Sequence, residues 1–203
     1  MSSKFSILTV CTGNVCRSPM AQYLLRQRLH GIPGIDISSA GARAQVGLPM
    51  FGTTQRLARL HGVEDPESHR ARQLNRADIE ASDLVLAMTS DHRRQIVELS
   101  PRATLRVFTL LEFARLAEAT TEEDLATELS SAGNAPTERM RAAVQAATLS
   151  RDLVPPWKDP SDQDVIDPYM LPEDVHRAST EQILPAIDAV ASLLRRSLGA
   201  GFP

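Results

Sequence analysis

Residues 5–30 read "FSILTVCTGNVCRSPMAQYLLRQRLH". Phe5 to Val10 is a short, largely apolar, β-prone run of the kind that forms a strand buried in a parallel sheet. Ser18-Pro19 opens a second run, in which Met20, Leu24 and Leu25 recur at helical spacing. Serine is a favoured N-cap and proline suits the first helical position, so the helix is expected to start there. Between the two runs lies a tight polar loop holding both cysteines of the chain, Cys11 and Cys16. A strand that passes through a short loop directly into a helix is the first half of a βαβ unit.

The rest of the chain continues the alternation. Ile35 to Ser39 follows the turn signal "GIPG" and reads as a second strand. "TTQRLARLHG" reads as a helix ending at Gly62. "DLVLAM" (83–88) has strand length, and "SDHRRQIVEL" follows it as a helix capped by Ser90. "LRVFTL" (105–110) is a fourth strand. Helical periodicity returns from Glu173 to Leu194, with Pro185 expected to kink or interrupt it. The pattern predicts an α/β fold: a doubly wound, mostly four-stranded parallel sheet with helices on both faces. Sites in such sheets form at the C-terminal ends of the strands. The stretch from Ala117 to Thr148 is rich in Ala, Glu, Thr and Ser, and reads as one or two surface helices separated by "SSAGNAP". It is expected to be part of a helical insertion at about 117–156, within a single domain spanning 1–203.

Composition removes several classes. The 203 residues carry a net charge of −3 and are 42% hydrophobic, which suits a globular core and gives no basic surface for nucleic acid. Two cysteines make no disulfide framework, and the five histidines do not fall at metal-ligand spacing. No signal-peptide apolar region or membrane-length run is present. These features lead to the expectation of a cytoplasmic protein with free thiols, no metal or other cofactor and no membrane insertion. They do not determine an oligomeric state.

The loop at 11–18 suggests chemistry. Its amides face the helix N-terminus, where unpaired N–H groups and the helix dipole attract phosphate-sized anions. Gly13 permits a bend with positive φ, and Asn14 tolerates a left-handed conformation. A thiol at a helix N-terminus near arginine ionises more readily than a free one, which would make Cys11 a nucleophile. Arg17 can grip two oxygens of a phosphoryl group, and Ser18 can donate to the sulfur. A free cysteine is more often just a small buried hydrophobe, so it is the ordered set of strand, Gly-Asn loop, arginine and helix start that carries the inference. With Arg17 and the helix end supplying positive potential, chemistry on an oxyanion bound here is expected to need no metal.

The loop "CTGNVCRSPMAQ" (11–22), with "SSAG" (38–41), "SHRARQL" (68–74), "DLVLAMTSDH" (83–92) and "DPY" (167–169) in the same order, resembles the low-molecular-weight protein tyrosine phosphatase family. The resemblance implies a protein-tyrosine-phosphatase acting on a phosphotyrosine-containing protein. Cys11 is then the nucleophile, Arg17 the phosphate-binding arginine and Asp167 the general acid and base. Thr12, Gly13, Asn14, Val15, Cys16, Ser18 and Tyr169 surround the substrate. Ser39 holds Asn14, and His69 braces the loop. Spacing alone does not choose between Asp159-Pro160 and Asp167-Pro168; the following tyrosine and the final helix select Asp167 by resemblance. Relatives with a cysteine at the place of Cys16 can protect the nucleophile through a reversible disulfide.

Two departures stand out. Gln45 occupies a place where many relatives carry an aromatic residue, leaving Phe51 to replace it, and Met170 stands where a second aromatic often follows the tyrosine. Val15 lacks the hydroxyl of the threonine found in relatives that act on phosphoarginine, which favours phosphotyrosine. Phosphoarginine hydrolysis on the same scaffold is one alternative. Arsenate reduction with an external small thiol is another, because thioredoxin-coupled reduction needs further cysteines that this chain lacks. A non-catalytic phosphate-binding module would need neither the thiol nor the acid, and nothing beyond length supports a scaffold built on the insertion.

Overall fold

The computed structural model describes residues 4–199. Four strands form one parallel sheet in the order β2-β1-β3-β4: β1 Phe5–Cys11, β2 Ile35–Gly41, β3 Leu84–Ala87 and β4 Val107–Thr109. β1 lies in the middle, with Cys11 opposite Gly41 and Val10 opposite Ala87. The C-terminal ends of β1, β2 and β3 thus meet on one edge of the sheet.

The side chains of β1 alternate between faces, as a pleated strand requires. Phe5, Ile7 and Cys11 enter the larger core with Met20, Leu24 and Leu25 of α1 (Arg17–Arg28) and with Ile183, Ile187 and Leu194 of the final helix. Leu8 and Val10 enter a smaller core with Ile79 of α3 (Arg76–Glu80) and Ile96 of α4 (Ser90–Leu99). Helices therefore cover both faces, as expected. α2 (Gly52–Leu60) packs against α1 and the final helix.

The helix starts differ from the sequence reading. α1 begins at Arg17 with Cys16 at its N-cap, and Cys16 makes no side-chain capping bond. Ser18 already lies inside the first turn, because its hydroxyl is used by Cys11 and Asn14. α4 is capped by Thr89, whose Oγ1 accepts the His92 amide, and Ser90 is its first residue. α8 runs unbroken from Glu173 to Leu198 through Pro185. Pro185 faces solvent, so water can satisfy the Glu181 carbonyl left without a donor. The buried stripe Ile183, Ala186, Ile187 and Val190 holds both halves of the helix to the core.

The stretch after β4 also differs. α5 (Leu110–Ala119), α6 (Glu122–Ser130) and α7 (Pro136–Leu149) follow β4. α7 is not a surface decoration. Met140, Ala143, Val144 and Ala147 form an i, i+3, i+4, i+7 stripe, all four buried in the main core, and α7 packs on α8, α6, α5 and β1. Arg141 Nε donates to Asp83 Oδ1 at 2.8 Å, and Arg139 Nε to the Ser197 carbonyl at 2.7 Å. The polar average composition of 117–148 concealed this stripe. We propose that the chain is one domain, with the 117–156 segment built into its core. Among the described residues no helix is long and apolar enough to cross a membrane.

The burial of α7 makes a simple stability prediction. Met140→Ala should lower the unfolding free energy by about 2–5 kcal/mol, as cavity-forming core truncations do. Leu149→Ala, at a side chain 61% exposed on the same helix, should change it by no more than about 0.5 kcal/mol. Denaturant titration of the two variants checks both values.

Candidate active site

The β1–α1 loop wraps around one residue, Asn14. Its φ of +57° is the left-handed region that an asparagine tolerates and most side chains avoid. Gly13, by contrast, does not have the positive φ expected of it. Its smallness matters for packing: an added Cβ would stand 3.3 Å from Gln45 Nε2 and 3.4 Å from Val15 Cγ2.

Asn14 is held from every side. Its Nδ2 donates to Ser18 Oγ at 2.9 Å and to Ser39 Oγ at 2.8 Å. Its Oδ1 accepts the Arg72 amide at 2.9 Å, and its carbonyl accepts from His69 Nε2 at 2.7 Å. Ser39 passes its own proton to Gln22 Oε1. The Asn14 amide then points at Cys11 Sγ, 3.3 Å away. Ser18 Oγ, which accepts from Asn14, lies 3.0 Å from the same sulfur and 3.4 Å from the Ala40 carbonyl oxygen; a Cys11 thiolate has no proton to give and can take the Ser18 proton. Cys11 Sγ thus accepts the Asn14 amide and has the Ser18 hydroxyl within reach, at the N-terminus of α1, a helix with no acidic residue in its first turn. Gly41, in "SSAG", is required by contact: an added Cβ would lie 2.5 Å from the Thr12 carbonyl oxygen.

Above the sulfur lies a cavity of about 120 Å³. Cys11, Thr12, Gly13, Val15, Cys16 and Arg17 form its floor and sides, and Asp167, Tyr169, Arg43 and Gln45 form its rim. Asn14 and Ser18 are fully buried beneath the loop and act on Cys11 from behind, while Ser39 and His69 support Asn14. The Arg17 side chain is 5% exposed. Its Nη2 pairs with Asp167 Oδ2 at 2.7 Å, its Nη1 donates to the Val165 carbonyl at 3.1 Å, and its Nε has no hydrogen-bond partner among the described residues. Asp159 is elsewhere. It caps the 3-10 turn Pro160–Gln163, accepting the Ser161 amide, and does not line the cavity.

The Tyr169 hydroxyl donates to Gln45 Oε1 at 3.3 Å, and its ring meets Phe51 edge-on at 6.0 Å. Phe51 therefore does not replace the missing aromatic wall. It stands behind Tyr169, stacked 5.2 Å from the His176 ring. Met170 is 70% exposed with φ +59° and does not line the cavity. Among the described residues no group of three or more His, Cys, Asp or Glu could hold a metal ion.

Burial pushes the Cys16 thiol up to about 12, against a smaller lowering by a hydrogen bond from Thr54. It remains protonated at neutral pH, which leaves nucleophilic chemistry to Cys11. Two further contacts gave no signal in the sequence. His92 Nε2 lies 2.8 Å from Thr12 Oγ1, and Asp164 Oδ1 accepts the Ser90 amide at 2.7 Å. Both partners are distant in sequence, and only the fold unites them.

The profile of the low molecular weight phosphotyrosine protein phosphatase family matches residues 6–125. The chain belongs to this family. The family match takes in the loop and its supports but stops before Asp167 and Tyr169. A probable low molecular weight protein-tyrosine-phosphatase of Ralstonia solanacearum is 43% identical over 53% of this chain and 71% of its own length. A protein-arginine-phosphatase of Geobacillus stearothermophilus is 41% identical over 54% of this chain and 71% of its own. A solved structure of the arginine phosphatase YwlE from the same organism superposes with a TM-score of 0.66 at 30% identity, covering 95% of this chain and 94% of that one.

The site's histidines set an acid limit on stability. Burial holds His69, His92 and His176 below the ordinary imidazole value, His92 as low as about 4, with the Arg17 charge as the second cause for His92. Each is neutral in the native state and gains a proton more easily when unfolded. The unfolded chain thus binds more protons below about pH 6.5, and stability falls as pH drops from there toward 4. His92→Gln, which cannot titrate, should remove part of this slope, on the order of 3 kcal/mol between pH 6.5 and 4. Urea unfolding across that range measures it, and an unchanged slope in the variant would refute the assignment.

Proposed function

We propose that this protein is a protein-tyrosine phosphatase that hydrolyses phosphotyrosine in a protein substrate through a phosphocysteine on Cys11. One observation carries the reading: a sulfur that accepts the Asn14 amide and lies 3.0 Å from the Ser18 hydroxyl at a helix N-terminus, beneath a buried arginine paired with an aspartate. Apolar packing of the thiol would have none of these donors.

The steps follow from the placement. The amides of the 12–17 loop and Arg17 hold the three non-bridging oxygens, and the unpartnered Arg17 Nε supplies one of the donors. The Cys11 sulfur attacks phosphorus, the P–O bond to the tyrosyl oxygen breaks, and Asp167 gives that oxygen its proton. Water then attacks phosphorus, Asp167 takes a proton from it, and the P–S bond breaks to release phosphate and the thiolate. The Ser18 hydroxyl stabilises sulfur as it leaves. Asp167 is kept on this rim by its ion pair with Arg17 and by accepting the Tyr169 amide at 3.2 Å. A phosphoryl group that occupies the guanidinium frees the carboxyl for proton transfer. Tyr169, 41% exposed beside Gln45, offers one aromatic wall to the substrate ring. Both cysteines are free thiols, and we assign the activity to the cytoplasm, where thiols stay reduced.

Similarity to arginine phosphatases, at 30% identity over 95% of the chain, supports a second reading, phosphoarginine hydrolysis by the same cysteine. Val15 favours tyrosine. It lines the cavity with methyl groups only and gives no hydrogen bond to a guanidinium N–H.

Four variants test these roles. Cys11→Ser should abolish release of phosphate from a phosphotyrosine peptide. Asp167→Asn should lower kcat on aryl phosphates by about a hundredfold or more, and Asp159→Asn should leave it unchanged; equal losses would move the acid elsewhere. Val15→Thr should raise the ratio of kcat/KM for phosphoarginine over phosphotyrosine peptides. A wild-type preference for phosphoarginine would reverse the substrate assignment.

A further inference from the structure

Thr12 follows the nucleophile directly and lines both the cradle cavity and an adjoining cleft of about 620 Å³, in each case with Arg17 and Asp167. Its backbone is fixed, because its carbonyl accepts the Arg43 amide at 2.9 Å. The orientation of its hydroxyl remains to be set, and the structure places one group against it. His92, in the first turn of α4 and 5% exposed, brings Nε2 to 2.8 Å from Thr12 Oγ1. On the other side of the ring, Nδ1 lies 2.7 Å from Thr89 Oγ1.

The cap at Thr89 favours one direction for these bonds. A hydroxyl has one proton to give. Thr89 Oγ1 already accepts the His92 backbone amide at 3.2 Å, and Nδ1 is the one acceptor within reach of its proton among the described residues, so we assign that proton to Nδ1. Nδ1 is then the acceptor, Nε2 carries the ring proton, and Thr12 Oγ1 receives it. The reverse tautomer would direct two donors at Thr89 and leave its proton with no acceptor among the described residues. Protonated His92 would create the same conflict. Burial and the Arg17 charge oppose that form more strongly than Asp167, Asp164 and Asp91 favour it.

We infer that His92 is a positioning residue: through Nε2–H it anchors the Thr12 hydroxyl, so that the hydroxyl proton points into the cradle as one more donor to a phosphoryl oxygen. The inference rests on the phosphatase reading and adds a bracing contact on the side of the loop opposite His69. The two histidines differ in what they hold. His69 takes hold of the Asn14 backbone, whereas His92 reaches a side chain that faces the cavity. The effect is therefore expected in turnover rather than in the existence of the loop.

Kinetics and NMR test this together. Thr12→Val and His92→Leu should each lower kcat on an aryl phosphate about tenfold with KM little changed, a smaller loss than removal of a full oxyanion donor. The double variant should be no worse than either single one. His92→Gln, whose amide N–H can replace Nε2–H, should recover most of the loss. Additive losses, or a Gln variant as slow as the Leu variant, would overturn the inference. Imidazole 15N spectra of the unaltered protein at pH 7 should show the Nε2–H tautomer, and the Nδ1–H tautomer would overturn it. Absence of any phosphate release by the unaltered protein would defeat the phosphatase reading, while the tautomer would still report on the anchor.

Discussion

The site depends on holding one non-glycine residue in a left-handed conformation. Asn14 in that geometry directs its amide at the Cys11 sulfur, and a relaxed Asn14 would turn the amide away. Such a conformation costs on the order of 1 kcal/mol and persists only where the surroundings over-determine it. Here they do. Ser18, Ser39, Arg72 and His69 together use the amide nitrogen, the amide oxygen and the carbonyl of Asn14, and Gln22 satisfies Ser39. These supports come from α1, β2 and the loop before α3, so the reactive geometry is tied to the sheet itself.

The rim of the cavity is assembled differently. Asp167 and Tyr169 belong to the segment between α7 and α8, and they reach the loop through Arg17, Gln45 and the Val165 carbonyl. The Val165 amide in turn donates to the Met88 carbonyl, just beyond the end of β3. A mostly irregular segment is thus fastened to the sheet edge at few points. Floor and rim differ as a result: a densely hydrogen-bonded loop beneath, and above it an exposed carboxylate whose ion-pair partner is the buried Arg17.

Much of this was legible in the sequence because it is local. Strand and helix periodicities placed four strands and most helices, since period 2 and period 3.6 are properties of neighbouring residues. The positions of Cys11, Asn14, Arg17 and Ser18 followed from one loop between a strand and a helix. The local reading failed where a side chain had a distant competitor. Ser18 looked like a cap, but Cys11 and Asn14 claim its hydroxyl. Pro185 looked like a break, but it lies on the wet side of a helix whose opposite stripe is buried. The alanine-rich stretch looked like surface, but its few apolar residues share one face.

The sequence by itself determined the alternating α/β architecture and a thiol-arginine loop at a helix start, because covalent adjacency and short-range spacing suffice for both. Only the tertiary structure decided that Asp167 pairs with Arg17, that Phe51 backs Tyr169 instead of lining the slot, and that His92 meets Thr12. Each of these joins residues far apart in the chain, and their meeting depends on how the strand ends converge on one edge of the sheet, which no local pattern encodes.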